Sequence, residues 1–179
     1  MSCLLKSQWL RLSIVCFIHE VGYDLCMPKP ADVAATGLRA SALTDDLSFL
    51  LARANAIALS AGNAALAEHG LKARSYSVLS LAADGAGPSQ RELAEFLRLD
   101  PSQVVSLVDD LQSRGLVERR PDPADRRANV VIATDAGRAL AAAARDSARS
   151  AEKRVHAQLS ADERQTLTDL LRALAFPDA

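Results

Sequence analysis

The chain predicts a mainly α fold that carries one small β-hairpin, and three features of the sequence lead there. First, apolar residues make up 49% of the chain but aromatics only 4%. Alanine and leucine dominate that fraction, which favours helix over strand. Second, most of the chain repeats its apolar residues at spacings of three and four, behind side chains suited to helix capping. Third, only two short β-type runs occur, 116–119 and 128–133, on either side of a stretch rich in proline and aspartate.

The 179 residues suit one domain with extensions, and 21 basic against 22 acidic residues leave a net charge of −1. A uniformly basic coat is excluded. A local basic patch is not, because distribution decides nucleic-acid binding more than the sum does. Cys3, Cys16 and Cys26 all lie in the first 26 residues. The body therefore has no disulfide framework and no paired-cysteine metal motif. His19, His69 and His156 stand alone, so neither a metal nor a cofactor is expected.

Residues 1–30 break from the rest and are read as an N-terminal extension, disordered or a mis-assigned start, with Met27 as a second start. The apolar run 12–18 is too short to span a membrane, and His19-Glu20 follows it where a signal peptide needs small residues. A cytoplasmic protein with no membrane partner is expected.

In order along the body, a first helix is expected from Leu43 to about Glu68. Thr44 is its cap, Asp45 and Asp46 lie in its first turn, and Gly70 ends it. A second helix covers about Ala73 to Ala83, and a loop follows at 84–88. Ser89-Gln90-Arg91-Glu92 is a capping box that opens a short helix to Leu97. After the tight connection Arg98-Leu99, Asp100-Pro101 starts another helix, with Val104, Leu107, Val108 and Leu111 at core spacing and Gly115 as its stop. The two β-type runs enclose the hairpin tip 120–127. Thr134 caps a long Ala-rich helix to about Leu159, and a second capping box at Ser160–Glu163 opens a last helix to about Ala175.

Two short helices joined by about three residues form a helix-turn-helix, and a hairpin that follows at once makes it winged. The expected fold class is thus mainly α with a small β-hairpin wing, a winged helix-turn-helix (about 71–134) flanked by dimerisation helices (about 43–69 and 135–175). The B-DNA major groove admits one α-helix. With its apolar residues turned inward, the 101–113 helix offers Ser102, Gln103, Val105 and Ser106 outward, and Asp109 and Asp110 further along. Gln103 has the geometry for an adenine and Val105 for a thymine methyl. Arg126 and Arg127 at the tip are long enough to enter a minor groove, with Asp125 orienting an arginine and Asp122 as a turn residue. Leu43, Leu47, Leu50, Leu167, Leu170, Leu171 and Leu174 exceed what a lone winged domain can cover, which predicts a homodimer.

The segment Leu99-Asp100-Pro101-Ser102-Gln103-Val104, then Leu111 through Arg119, then Asp125-Arg126-Arg127 and Thr134-Asp135-Ala136-Gly137, resembles the MarR family of multiple-antibiotic-resistance-type regulators. The likeness runs over residues 38–179. It implies a repressor on palindromic double-stranded DNA, with Arg119 among the DNA-contacting residues. It also implies an obligate dimer and a small aromatic or phenolic ligand that releases DNA. Two departures stand out. The family often places basic side chains along the recognition helix, where this chain has Asp109 and Asp110. Peroxide-sensing members carry a cysteine in the first helix, where Ser48 stands, and a hydroxyl cannot supply thiolate chemistry. The alternative is a winged-helix protein–protein interaction module without DNA binding, for which the Asp109-Asp110 pair is the best support. An enzyme is not expected, because no phosphate loop or nucleophile motif occurs.

Overall fold

The computed structural model describes residues 37–122 and 128–177. The readings of the extension, of the three cysteines and of Asp125, Arg126 and Arg127 lie outside the described residues. The chain divides into two compact units, Met1–Asp45 and Asp46–Ala179. In the first, the described residues form two 3-10 turns, Gly37–Ala40 and Ala42–Asp45, and Leu43 is exposed there.

The second unit holds α1 (Leu47–Leu66), α2 (Ala73–Ala83), α3 (Gln90–Leu97), α4 (Pro101–Ser113), β1 (Val117–Pro121), β2 (Asn129–Ala133), α5 (Asp135–Val155) and α6 (Ala161–Ala175). The strands pair antiparallel, from Val117 opposite Ala133 to Pro121 opposite Asn129. This is the mainly α architecture with one hairpin that the pattern predicts.

Three boundaries differ from expectation. The first helix begins at Leu47, and its cap is Asp46, whose Oδ1 accepts from the Phe49 amide at 2.9 Å. Thr44 cannot serve, because its hydroxyl donates to the Ser41 carbonyl at 2.7 Å. β1 runs two residues past Arg119, because a charged strand such as Glu118-Arg119-Arg120 gives no apolar alternation from which to read its end. The long helix stops at Val155, short of Leu159, and a turn closes with Leu159 N–H donating to the His156 carbonyl.

The core lies under α2, α3 and α4. Val78, Leu79, Leu93, Val104, Val108, Leu111, Val117 and Val131 are fully buried there, each at the helical or alternate spacing that faces it inward. The hairpin is fastened to this core where the Val131 amide donates to the Pro88 carbonyl at 2.8 Å. One glycine is dictated by contact. A Cβ on Gly137 would lie 1.9 Å from the Leu116 carbonyl oxygen, so the first turn of α5 can only pass the root of β1 without a side chain.

The outer helices behave differently. No residue of α6 is buried, and Leu167, Leu170, Leu171 and Leu174 are all exposed, as are Leu47 and Leu50 on α1. The segment Leu47–His69, α1 with its trailing 3-10 turn, is long and apolar enough to cross a membrane by length and composition. In this fold it lies along α5 and also touches α2.

Candidate nucleic-acid interface

The helix-turn-helix is built by local chemistry. Ser89 Oγ accepts from the Glu92 amide, and the Glu92 carboxylate accepts from the Ser89 amide at 2.7 Å, which closes the predicted box. The backbone hydrogen bond from Ser89, reinforced by its hydroxyl, holds the Glu92 carboxyl below the usual carboxylate range. α3 ends at Arg98, the single non-glycine with positive φ (53°) among the described residues. That left-handed residue makes the turn tight, and the Leu99 amide reaches back to the Ala94 carbonyl at 3.0 Å. Asp100 then caps α4, its Oδ1 accepting from the Ser102 amide at 2.7 Å and the Ser102 hydroxyl at 2.5 Å.

α4 turns Val104, Val108 and Leu111 into the core. On its outward side Ser102, Val105 and Ser106 are exposed, Val105 by 43%. Ser106 Oγ donates to the Ser102 carbonyl at 3.0 Å, so its lone pairs stay outward. Gln103 is half-buried, with Oε1 accepting from Arg74 Nη1 at 3.4 Å. Ser102, Gln103 and Ser106 line a shallow depression of about 350 Å³ together with Arg74 and Leu107. Of the predicted residues, Ser102, Gln103 and Ser106 thus share this depression, Val105 is exposed on the same helix outside it, and none of the four has an ionised side chain.

Beyond Leu107 the helix changes character. Asp109 Oδ1 accepts from Arg119 Nη2 at 2.6 Å. The same guanidinium donates through Nη1 to Gln112 Oε1 at 2.6 Å and through Nε to Gln90 Oε1 at 2.9 Å. Arg119 is only 24% exposed, and its donors are spread over three side chains on α3 and α4. Asp110 Oδ2 accepts from Arg114 Nη1 at 3.3 Å, and that nitrogen also donates to the Gly70 carbonyl at 3.0 Å. Neither acid of the 109–110 pair is an unpaired charge.

Sequence reasoning had no access to Gln90, Gln112, Arg74 or Arg114 as parts of this surface. Gln90 and Gln112 meet Arg119, Arg74 meets Gln103 and Arg114 meets the Gly70 carbonyl across elements, and no periodicity encodes such a tertiary hydrogen bond; the Arg114–Asp110 pair alone is local. Among the described residues no group of acids, histidines or cysteines is arranged to hold a metal ion.

A second concave place of about 400 Å³ lies between the end of α1 and α5, lined by Ala64, Ala65, Glu68, Ser147, Ser150 and Arg154 among others. His69 Nε2 lies 2.9 Å from Ser147 Oγ beside it, and Ser147 Oγ donates to Glu68 Oε1 at 2.7 Å.

Comparison with known proteins follows the same outline. A MarR family model matches residues 69–128. A MarR family transcriptional regulator from Rhodococcus sp. RHA1 is 43% identical with a TM-score of 0.72, over 76% of this chain and 99% of that one. CouR from Rhodococcus jostii RHA1, solved bound to p-coumaroyl-CoA, is 44% identical with a TM-score of 0.71, over 78% and 98%. The HTH-type transcriptional repressor Rv2887 of Mycobacterium tuberculosis is 31% identical over 134 residues, 74% of this chain and 96% of its own length. Its complex with salicylic acid superimposes with a TM-score of 0.62 at 30% identity, over 74% and 99%, and its complex with DNA with 0.60 at 29%, over 72% and 97%.

Proposed function

The chain belongs to the MarR family of transcription regulators, and on that premise we propose that it is a ligand-responsive repressor that binds a palindromic operator as a homodimer. The observation that carries the reading is the open, uncharged first half of α4, which projects beside a hairpin. Ser102, Gln103, Val105 and Ser106 are proposed to meet base edges and nearby phosphates in the major groove. Arg126 and Arg127 are proposed for the adjacent minor groove, with Asp125 orienting Arg127. Replacing Asp125 with Ala should then loosen binding as Arg127→Ala does, although it removes a negative charge near DNA.

The interaction-module alternative loses its main support, because Asp109 and Asp110 are each neutralised by an arginine. A solvated acidic face would attract a basic partner, whereas a paired one does not.

A second copy of the chain is proposed to cover the apolar faces of α1 and α6, including Leu47, Leu50, Leu167, Leu170, Leu171 and Leu174; Leu43, in the first unit, is proposed as a dimer residue in its own right. An exposed apolar area of this kind is rare in monomers. Lipid is the poorer cover, since α6 interleaves Asp162, Glu163, Arg164, Asp169 and Arg172 with its leucines. Sedimentation at micromolar concentration should give a dimer. Two-fold symmetry then implies half-sites about 10 base pairs apart, one helical turn.

For the effector we propose an aromatic acid or a phenol, on the strength of the ligands held by CouR and Rv2887. Thermal shift with salicylate, p-coumarate and p-coumaroyl-CoA tests this, because a ligand that favours the folded state raises the melting temperature. The proposed location is the cytoplasm, where the DNA is, and the proposed role is regulatory and not enzymatic.

The functional test is a gel shift with the DNA flanking the gene, over a range of salt. A complex that prefers one duplex, weakens steeply with salt and dissociates with an effector supports the proposal. Indifference to DNA at low salt contradicts it.

A further inference from the structure

We infer that Arg119 is a positioning residue, a strut that fixes the angle between the wing and the recognition helix, and that Asp109 is its anchor. The inference rests on the DNA-binding reading above and assigns these two residues a different part in it from contact with DNA.

The geometry is specific. Arg119 stands on β1 opposite Val131, a fully buried residue of β2. Its guanidinium spends Nε on Gln90 at the start of α3, Nη1 on Gln112 and Nη2 on Asp109, both of α4, at 2.9, 2.6 and 2.6 Å. One side chain thereby ties three elements: the strand that carries the wing, the helix proposed to enter the groove, and the helix that precedes it. A guanidinium is suited to this because its donors are fixed in one plane. With 24% of its side chain exposed, it is screened far less than a surface arginine. Three of its five N–H donors are engaged in this way, one on each nitrogen, which fixes the plane and direction of the guanidinium.

The placement matters because specific binding needs two insertions at once. Recognition helix and wing tip must each meet their groove, so their mutual angle is part of the fit. Non-specific binding depends chiefly on phosphate attraction and tolerates a wing that swings.

Two mild variants separate this role from the others, Asp109→Asn and Arg119→Lys. Asp109→Asn removes a carboxylate beside DNA. If that charge faced the duplex freely, its loss would tighten binding to every sequence. If it anchors Arg119, its loss weakens specific binding. Arg119→Lys keeps the charge but cannot reach three partners.

The experiment measures affinity for a duplex enriched from a random pool by the wild-type protein, and for an unrelated duplex of equal length, over several salt concentrations. Amide hydrogen exchange of 117–121 and 129–133 is measured without DNA. Each variant is expected to bind the enriched duplex about tenfold more weakly, the size of a lost coupled contact. Affinity for the unrelated duplex should stay within about twofold, the salt slope should be unchanged, and the strands should exchange faster. Tighter binding by Asp109→Asn overturns the inference. So does a salt slope lowered by about one in Arg119→Ala, which marks a direct phosphate contact. Strand exchange identical to wild type in both mild variants also overturns it. If the wild type enriches no duplex, the DNA-binding reading falls, and the exchange measurement still decides the strut.

Discussion

The two halves of α4 share a helix but not a chemistry. From Pro101 to Val108 the outward positions are serine, glutamine and valine, capped by Asp100, with Ser102, Val105 and Ser106 exposed and Gln103 half-buried. From Asp109 to Ser113 the outward acids and Gln112 are tied to Arg119 and Arg114, which lead to the wing and to the α1–α2 junction. The first half carries a 3.4 Å hydrogen bond from Arg74 to Gln103 but no ion pair, and the second is tied to two arginines. Acidic residues on a groove-facing helix therefore do not argue against DNA when each is already matched by an arginine. What counts is the charge left over after internal pairing.

This contrast can be attacked from either side. The largest effect is expected on the holding side, from Gly137→Ala. Its Cβ would overlap the Leu116 carbonyl at the root of β1. Stability should fall by about 3 kcal/mol, the cost of forced overpacking, read as a lower midpoint in urea. Next is Gln103→Ala on the reading side. Folding should be unaffected, while discrimination at one or two base positions falls by about 1–3 kcal/mol, measured with duplexes mutated base by base. A smaller effect belongs to Asp100→Ala, which removes the cap of the reading half. About 1 kcal/mol of stability is expected to go, with exchange faster in the first turn of α4 alone.

The smallest concerns acid. Glu92 and Glu163 have their carboxyl groups lowered by the backbone amides of Ser89 and Ser160. A carboxyl lowered on folding adds stability above its ordinary value of 4.5 that is lost as pH falls through the folded value. Glu92→Gln keeps a side chain able to close the box. Its melting temperature should therefore fall less steeply than the wild type's below about pH 4.5. An unchanged acid profile would remove Glu92 from the account.

Much of this was legible in the sequence because it is local. The Ser89–Glu92 and Ser160–Glu163 boxes, the Asp100 cap with Pro101, and the inward spacing of Val104, Val108 and Leu111 are set by residues within four positions of each other. The outward set Ser102, Gln103, Val105 and Ser106 follows from the same spacing. The cap of α1 was misplaced by two residues because Thr44, Asp45 and Asp46 are all good caps, and only the backbone path shows which one is spent elsewhere. The roles of Arg119 and Arg114 were hidden for a stronger reason. Arg119 meets Gln90 29 positions away, and Arg114, besides its local i,i+4 pair with Asp110, meets Gly70 44 positions away. Nothing in a periodic pattern distinguishes an arginine that holds from one that reaches out.

The most direct test of the division within α4 is to repeat the selection from a random duplex pool with Gln103→Ala and with Asp109→Asn, beside the wild type. Gln103→Ala is expected to change which bases are preferred at one or two positions of each half-site. Asp109→Asn should keep the same preferred bases at every position and enrich them less strongly. A new base preference in the Asp109→Asn pool, with the Gln103→Ala pool matching the wild type, would mean that the second half of the helix reads and the first does not.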